Sequence, residues 1–262
     1  MVYLPFNAVH FIGPHNVAPG EEVEWQAPAS ALARHGCQPD EPDPRKRFLA
    51  VLTALDDAVG RVLDTVDDLK LRENTLVMFI SDNGAFMLPG RGLEVQSNKP
   101  LRSGGVTTCA GGVRVPALFR WPGHLQSGAV NREMLSSLDI VPLCVNLAGG
   151  TLPQDRVFDG HDPLPALQGK SASLHTELHW IWNQGRKEQW RGMRLGDWKL
   201  LRSADSAPWE LYDLSQDIAE AHNLAASQPE KLRELIEHFE QWHADIAADP
   251  TRSISLRAQA PK

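Results

Sequence analysis

The sequence predicts an α/β core over residues 1–170, followed by a small α+β subdomain over residues 171–262. Three observations predict it. A long stretch of helical period, residues 47–70, breaks at Arg72-Glu73-Asn74 and runs into a β-prone stretch, residues 75–81. Helix, short loop and buried strand in that order belong to a layered α/β sheet. A second β-prone stretch, residues 113–120, follows a glycine-rich loop. Beyond Lys170 the texture changes to short β-like runs between turn residues, closed by another helix.

Taken in order, residues 2–6 form a short apolar run and read as a strand. Residues 14–44 are dense in Pro, Gly and acids without a clean period, and read as a long surface loop. In residues 47–70 the apolar set is Phe48, Val51, Leu52, Leu55, Val59, Val62, Leu63, Val66 and Leu69. That is the 3.6-residue period of an amphipathic helix. Residues 75–81 are apolar on both faces, as a parallel strand covered by helices requires. Residues 134–147 read as a helix with Asp139 near its middle, interrupted or kinked by Pro142 and ended by Gly149-Gly150. Strands are expected over 173–182, 192–195, 198–202 and 209–214, with a turn at Gly196-Asp197. The last helix spans 229–247, with Pro229 in its first turn. Its stripe is Leu232, Leu235, Ile236, Phe239, Trp242 and Ile246. The tail beyond Pro250 reads as frayed.

Bulk properties exclude several classes. The net charge of −7 argues against a nucleic-acid or anionic-membrane partner. No apolar run approaches the roughly 20 residues that span a bilayer. Three cysteines at wide spacings, Cys37, Cys109 and Cys144, form neither a disulfide framework nor a zinc ribbon. The chain opens on Met1-Val2-Tyr3-Leu4 without a basic leader, and the compartment is left unassigned.

Few residues carry chemistry. Asp82-Asn83-Gly84 follows the 75–81 strand. On its own it reads as a turn, since Asn and Gly tolerate positive φ. At the carboxyl end of a strand, where α/β sheets bind ligands, the same carboxylate and amide oxygens read as part of a hard-cation site. Ca²⁺ takes six to eight such oxygens, and this pair supplies two or three. His10, after the first strand, is either an ordinary histidine or a donor and general acid facing an anion. His175 and His179 are not a zinc pair. Residues four apart on a strand lie roughly 13 Å from each other.

Read together, these segments resemble the later part of an arylsulfatase-type sulfatase of the alkaline phosphatase superfamily. "YLPFNAVH" is similar to the family's strand and histidine. "ALDDAVGRVLDTVDDLKLRENTLVMFISDNGA" is similar to its helix and metal strand. "NKPLRSGGVTTCAGGVRVPALFRWPG" is similar to its glycine-rich loop. "SSLDIVPLCVNLAGG", "FDGHDPLPAL", "RLGDWKLLR" and "ELYDLSQDIAEAHNLA" resemble its later helix and C-terminal subdomain. The resemblance implies a sulfatase-like α/β sheet with flanking helices, then a smaller antiparallel sheet with a helix. It implies metal-dependent hydrolysis of sulfuric esters by a formylglycine, with Asp82 and Asn83 as metal ligands, usually to Ca²⁺. It places His10 near the sulfate and its leaving group. The substrate would be a small sulfate ester or a sulfated carbohydrate.

Four departures qualify that expectation. No cysteine starts the formylglycine motif Cys-x-Pro-Ser-Arg, and the family's paired N-terminal aspartates are missing. Gly105 stands where the family's loop carries lysine, and Cys109-Ala110 replaces Trp-Glu. The sequence therefore reads as a truncated sulfatase, inactive as this isolated chain. The alternatives are a non-catalytic sulfatase-like binding protein and a related phosphoester hydrolase. With about three parallel-type strands, the sheet is incomplete, and self-association is expected.

Overall fold

A computed structural model describes residues 1–11, 25–87, 95–182 and 189–249. Parts of the two expected loops (residues 14–24 and 90–94) and the tail beyond Pro250 lie outside the described residues. The fold is mixed α/β, as expected. Two compact units divide the chain. The first is Met1–Lys99, Ser103–Val106 and Gly111–Ser127; the second is Pro100–Arg102, Thr107–Ala110 and Gly128–Lys262. The boundary expected after residue 170 falls inside the second unit.

In the first unit, α1 (Ala29–Arg34) occupies what the sequence presents as loop. Six residues are too few to display a helical period. Gly36, at φ +67°, ends α1 in the left-handed conformation. The Cys37 N–H then reaches back to the Leu32 carbonyl at 3.0 Å and the Gly36 N–H to that of Ala33, satisfying orphan acceptors. Helix α2 (Pro44–Asp68) begins with an Asp43 cap on the Arg45 N–H at 2.9 Å and Pro44 in its first turn. Ala31, Leu32, Cys37 and Ala50 join α1 to α2.

The strands of this unit are β1 (Val77–Ile80) and β2 (Ala117–Arg120). They pair antiparallel, Val77 opposite Arg120 and Ile80 opposite Ala117. The parallel arrangement expected from their composition is corrected. Four apolar residues look the same in either direction, and only the path of the intervening chain decides. Residues 2–6 form no strand either. They have no ladder partner among the described residues, and Val2 is 81% exposed. The Asp67 carboxylate at the end of α2 accepts from Arg120 Nη2 at 2.7 and 2.9 Å, tying α2 to β2.

In the second unit, a short α3 (Ala110–Val113) starts at the glycine-rich loop, its last residues grouping with the first unit. A 3-10 turn, Ser137–Asp139, leads into α4 (Ile140–Leu147). Asp139 is thus a helix-start residue rather than mid-helical. Ser136 and Asp139 cap each other's backbone. Pro142 causes no break, because it lies in the first turn of α4, where its missing N–H has no partner to lose. After α5 (Leu164–Leu167), four strands form an antiparallel meander: β3 (Glu177–Trp182), β4 (Trp190–Leu195), β5 (Trp198–Arg202) and β6 (Glu210–Asp213). Helix α6 (Pro229–Ala248) covers one face. Met193, Leu200 and Leu211 from the sheet pack there with Leu235 and Phe239 from the helix, all fully buried. The opposite face holds Cys109, Leu201 and Tyr212.

Candidate functional site

The strand end beyond Ile80 is built from backbone contacts and a few short polar side chains, among them the amides of Asn83 and Asn98. Asp82 is exposed, and its Oδ1 accepts from the Asn83 N–H at 2.9 Å. Ser81 Oγ donates to the Asn83 carbonyl at 2.9 Å, and Asn83 Nδ2 donates to the Gly84 carbonyl at 3.2 Å. These contacts leave Asn83 Oδ1 and the second Asp82 oxygen as acceptors of the required type.

Gly84 is buried because the chain passes directly over it. Its N–H donates to the Gly112 carbonyl at 3.0 Å, and a Cβ there would stand 1.7 Å from the Gly111 oxygen. A Cβ at Gly104 would stand 1.9 Å from the Ala85 oxygen. Asn98 ties the cradle together. Its Oδ1 accepts from the Ala85 N–H at 2.9 Å, and its Nδ2 donates to the carbonyls of Ala85 and Ser103 at 2.8 and 2.9 Å. Sequence reasoning missed Asn98, since nothing in Asn98-Lys99-Pro100 marks an amide turned toward residues thirteen positions earlier.

His10 is exposed, and its ring stacks on Phe11 at 4.5 Å between centroids. It also meets the edge of Phe86 at 6.0 Å. Phe86 is three residues past Asn83, so His10 is held to the loop that carries the two oxygens. Nδ1 lies 2.7 Å from the Phe11 carbonyl. A carbonyl only accepts, so Nδ1 carries the proton in this contact.

The loop lysine's position is closed. A Cβ on Gly105 would meet the Gly84 oxygen at 2.6 Å, and the Gly105 N–H donates to the Ala85 carbonyl at 3.1 Å. Two of the three cysteines are closed to chemistry at the surface. Cys37 and Cys109 are buried, and burial, with Glu220 second, pushes the Cys109 thiol up. Within the second unit, Glu220 also accepts from the Ala110 N–H through both oxygens, at 3.1 and 3.0 Å. Lys199, fully buried, lies over the Trp180 ring at 4.2 Å. Burial pulls its ammonium down to about 8 against the opposing effect of Glu220.

His175 does not converge with His179. Its Nε2 pairs with Asp139 Oδ1 at 2.6 Å, both side chains being almost wholly buried. The same Asp139 oxygen accepts from the His161 N–H at 2.9 Å.

Around Asp82, oxygen donors only are offered, which suits a hard divalent cation and excludes a soft one. The residues therefore fit Ca²⁺ by donor type but supply two or three of the six to eight oxygens it takes. Among the described residues, no set of three His, Cys, Asp or Glu ligand atoms gathers there. No described helix is long and apolar enough to cross a membrane.

Comparison with known proteins agrees with this architecture. The sulfatase family model matches residues 3–150, and the model of the C-terminal region of N-sulphoglucosamine sulphohydrolase matches residues 109–247. The chain belongs to the sulfatase family, within the alkaline phosphatase superfamily. It is similar to N-acetylgalactosamine-6-sulfatase of Canis lupus familiaris, 33% identical over 69% of this chain and 34% of that protein. A sulfatase of Formosa agariphila is 32% identical over 87% of this chain and 42% of its own length. The chain thus spans between a third and a half of these curated relatives. Among solved structures it is similar to Ps i-CgsB, with TM-score 0.75 and 28% identity, covering 95% of this chain and 50% of that one. The same protein in complex with k-i-k-neocarrahexaose aligns with TM-score 0.73 and 28% identity over 87% of this chain and 48% of that one. A phosphonate monoester hydrolase at 21% identity and TM-score 0.62 shares the fold.

Proposed function

We propose that this chain serves sulfate-ester hydrolysis on a sulfated carbohydrate, as the part of a sulfatase that presents Asp82, Asn83 and His10. The observation that carries the reading is the locked strand end. Gly84, Gly104 and Asn98 hold two adjacent side-chain oxygens at the carboxyl end of β1, with His10 pinned to the same loop through Phe86. Asp82 and Asn83 would hold a Ca²⁺ ion, which when bound supplies charge stabilisation to sulfate oxygens. With Nδ1–H kept on the Phe11 carbonyl, His10 would serve as general acid in its doubly protonated form, donating from Nε2 to the leaving oxygen. Carbohydrate is favoured because the relatives include an amino-sugar sulfatase and a structure holding a neocarrahexaose.

This 262-residue chain does not turn over sulfate esters alone. The support is chemical: no cysteine starts the formylglycine motif, and Cys109 is buried with its thiol raised. Hydrolysis of a chromogenic aryl sulfate, with and without Ca²⁺, tests this together with calorimetric Ca²⁺ titration. The expected outcome is no turnover and weak, millimolar-range Ca²⁺ binding that Asp82→Ala removes. Turnover abolished by Asp82→Ala would overturn the claim of inactivity. Gly105 favours a second reading, a non-catalytic sulfatase-like module, because the backbone excludes a side chain where the family's lysine acts. Binding of a sulfated oligosaccharide without turnover, with or without Ca²⁺, is its signature. The two-stranded β1–β2 sheet leaves Leu118 63% exposed, which favours self-association; light scattering reads it directly.

A further inference from the structure

Glu177 and His179 alternate with Leu178 along β3, so both side chains leave the sheet on one face. That face is the one covered by α6, and His238 rises from α6 to meet them. One carboxylate oxygen and two imidazole nitrogens lie within 4.8 Å of one another. Glu177 Oε2 and His238 Nε2 are in ion-pair contact, but without the alignment of a hydrogen bond. His179 Nε2 is buried and has no hydrogen-bond partner among the described residues. The His179 ring is stacked on Trp242, 4.1 Å between centroids and 8° from parallel. It also lies 11° from parallel to the His238 ring.

A buried polar atom left unsatisfied costs about 1–3 kcal/mol. The contact between His238 and Glu177 does nothing for His179. One ligand shared by all three would satisfy the ring nitrogen and use the carboxylate and second imidazole together. We propose that Glu177, His179 and His238 form a binding site for a divalent transition ion of the Zn²⁺ type. Two imidazoles and one carboxylate are a zinc donor set, with an open fourth position for water. The set differs in kind from the oxygens at Asp82, which suit a hard cation.

The geometry is close to what the ion requires. Ligand atoms around a tetrahedral Zn²⁺ stand about 3.4 Å apart, given metal–ligand bonds of about 2.1 Å. No separation exceeds 4.8 Å, so the widest closes by at most about 1.4 Å, while Glu177 and His238, already in contact, part slightly. Glu177 and His238 can supply that movement, being 33% and 44% exposed at their side chains. The same exposure gives the ion a way in. His179 is the anchored member, held by Trp242. Burial, with His238 as the smaller cause, pulls it down to about 4, so at neutral pH its ring is uncharged, the form that ligates. This inference stands independently of the sulfatase reading.

The test is calorimetric titration of the chelator-stripped 262-residue chain with ZnCl₂ at pH 7.5. The expected result is one Zn²⁺ per chain at micromolar affinity. His238→Ala weakens it at least 100-fold and Glu177→Gln at least tenfold. His222→Ala, an exposed histidine outside the cluster, leaves it unchanged. His238 lies on the helix surface, so circular dichroism separates lost ligation from lost fold. Binding weaker than millimolar in the parent chain overturns the proposal. So does a His238→Ala variant that is folded and titrates within threefold of the parent.

Discussion

Along β4, β5 and β6, Met193, Leu200 and Leu211 point to one face and meet Leu235 and Phe239 of α6, with no exposure left to any of them. Around Asp82 the described residues form no fully buried cluster of that kind; the neighbouring one, on Trp25 and Val51, takes in only Phe86 from this loop. Order comes instead from Gly84 and Gly104, which let backbone approach backbone, and from the three hydrogen bonds of Asn98. The first region is held by apolar area, a non-directional and cumulative effect. The second is held by a few directional contacts, each indispensable to the geometry. The difference matches what the proposed ion site would ask of its region. A packed sheet tolerates volume-conserving substitution. A site that presents oxygens to an ion needs its backbone placed to within a fraction of an ångström.

Phe239→Ala is the largest expected perturbation. It removes a fully buried ring that touches Trp209 and Trp242, and should cost about 3–5 kcal/mol. Urea unfolding followed by tryptophan fluorescence measures it, and a cost below 1 kcal/mol would break the contrast drawn above. Asn98→Ala should cost about 1–3 kcal/mol by stranding the Ala85 amide and the Ser103 carbonyl, the Ala85 carbonyl keeping the Gly105 N–H. Hydrogen exchange should speed up at Ala85 while Leu200 and Leu211 keep their protection. Uniform acceleration at all three would show that the cradle is not locally held. Val106→Gly is the smallest change and has the opposite sign. Val106 sits at φ +70°, a conformation that a β-branched residue adopts only with strain. Glycine there should stabilise the chain by about 1 kcal/mol, raising the melting temperature by a few degrees.

Legibility in the sequence followed the range of the interactions. The amphipathic helices α2 and α6 and the strands β3 to β6 were readable because their side-chain periods repeat over many residues. Helix α1 was not, having too few turns to show a period. The antiparallel pairing of β1 with β2 was not, because apolar runs carry no direction. At the candidate site, Asp82 and Asn83 do follow a strand, as their pattern suggested, whereas the strand expected before His10 does not form. Asn98 was not legible, since its partners are Ala85 and Ser103 backbone atoms that no residue pattern announces.

By itself, the sequence determined the long helices α2 and α6, the strands β1 to β6, their apolar faces, and the family to which the chain belongs. Those properties depend on neighbours one to four positions away, where covalent geometry fixes the relation. Only the tertiary structure decided that Gly105 admits no side chain, and that His175 turns to Asp139. It alone brought His238 to Glu177 and His179 from sixty residues away in the chain. Such meetings depend on the whole path between the partners, and local periodicity carries no record of that path.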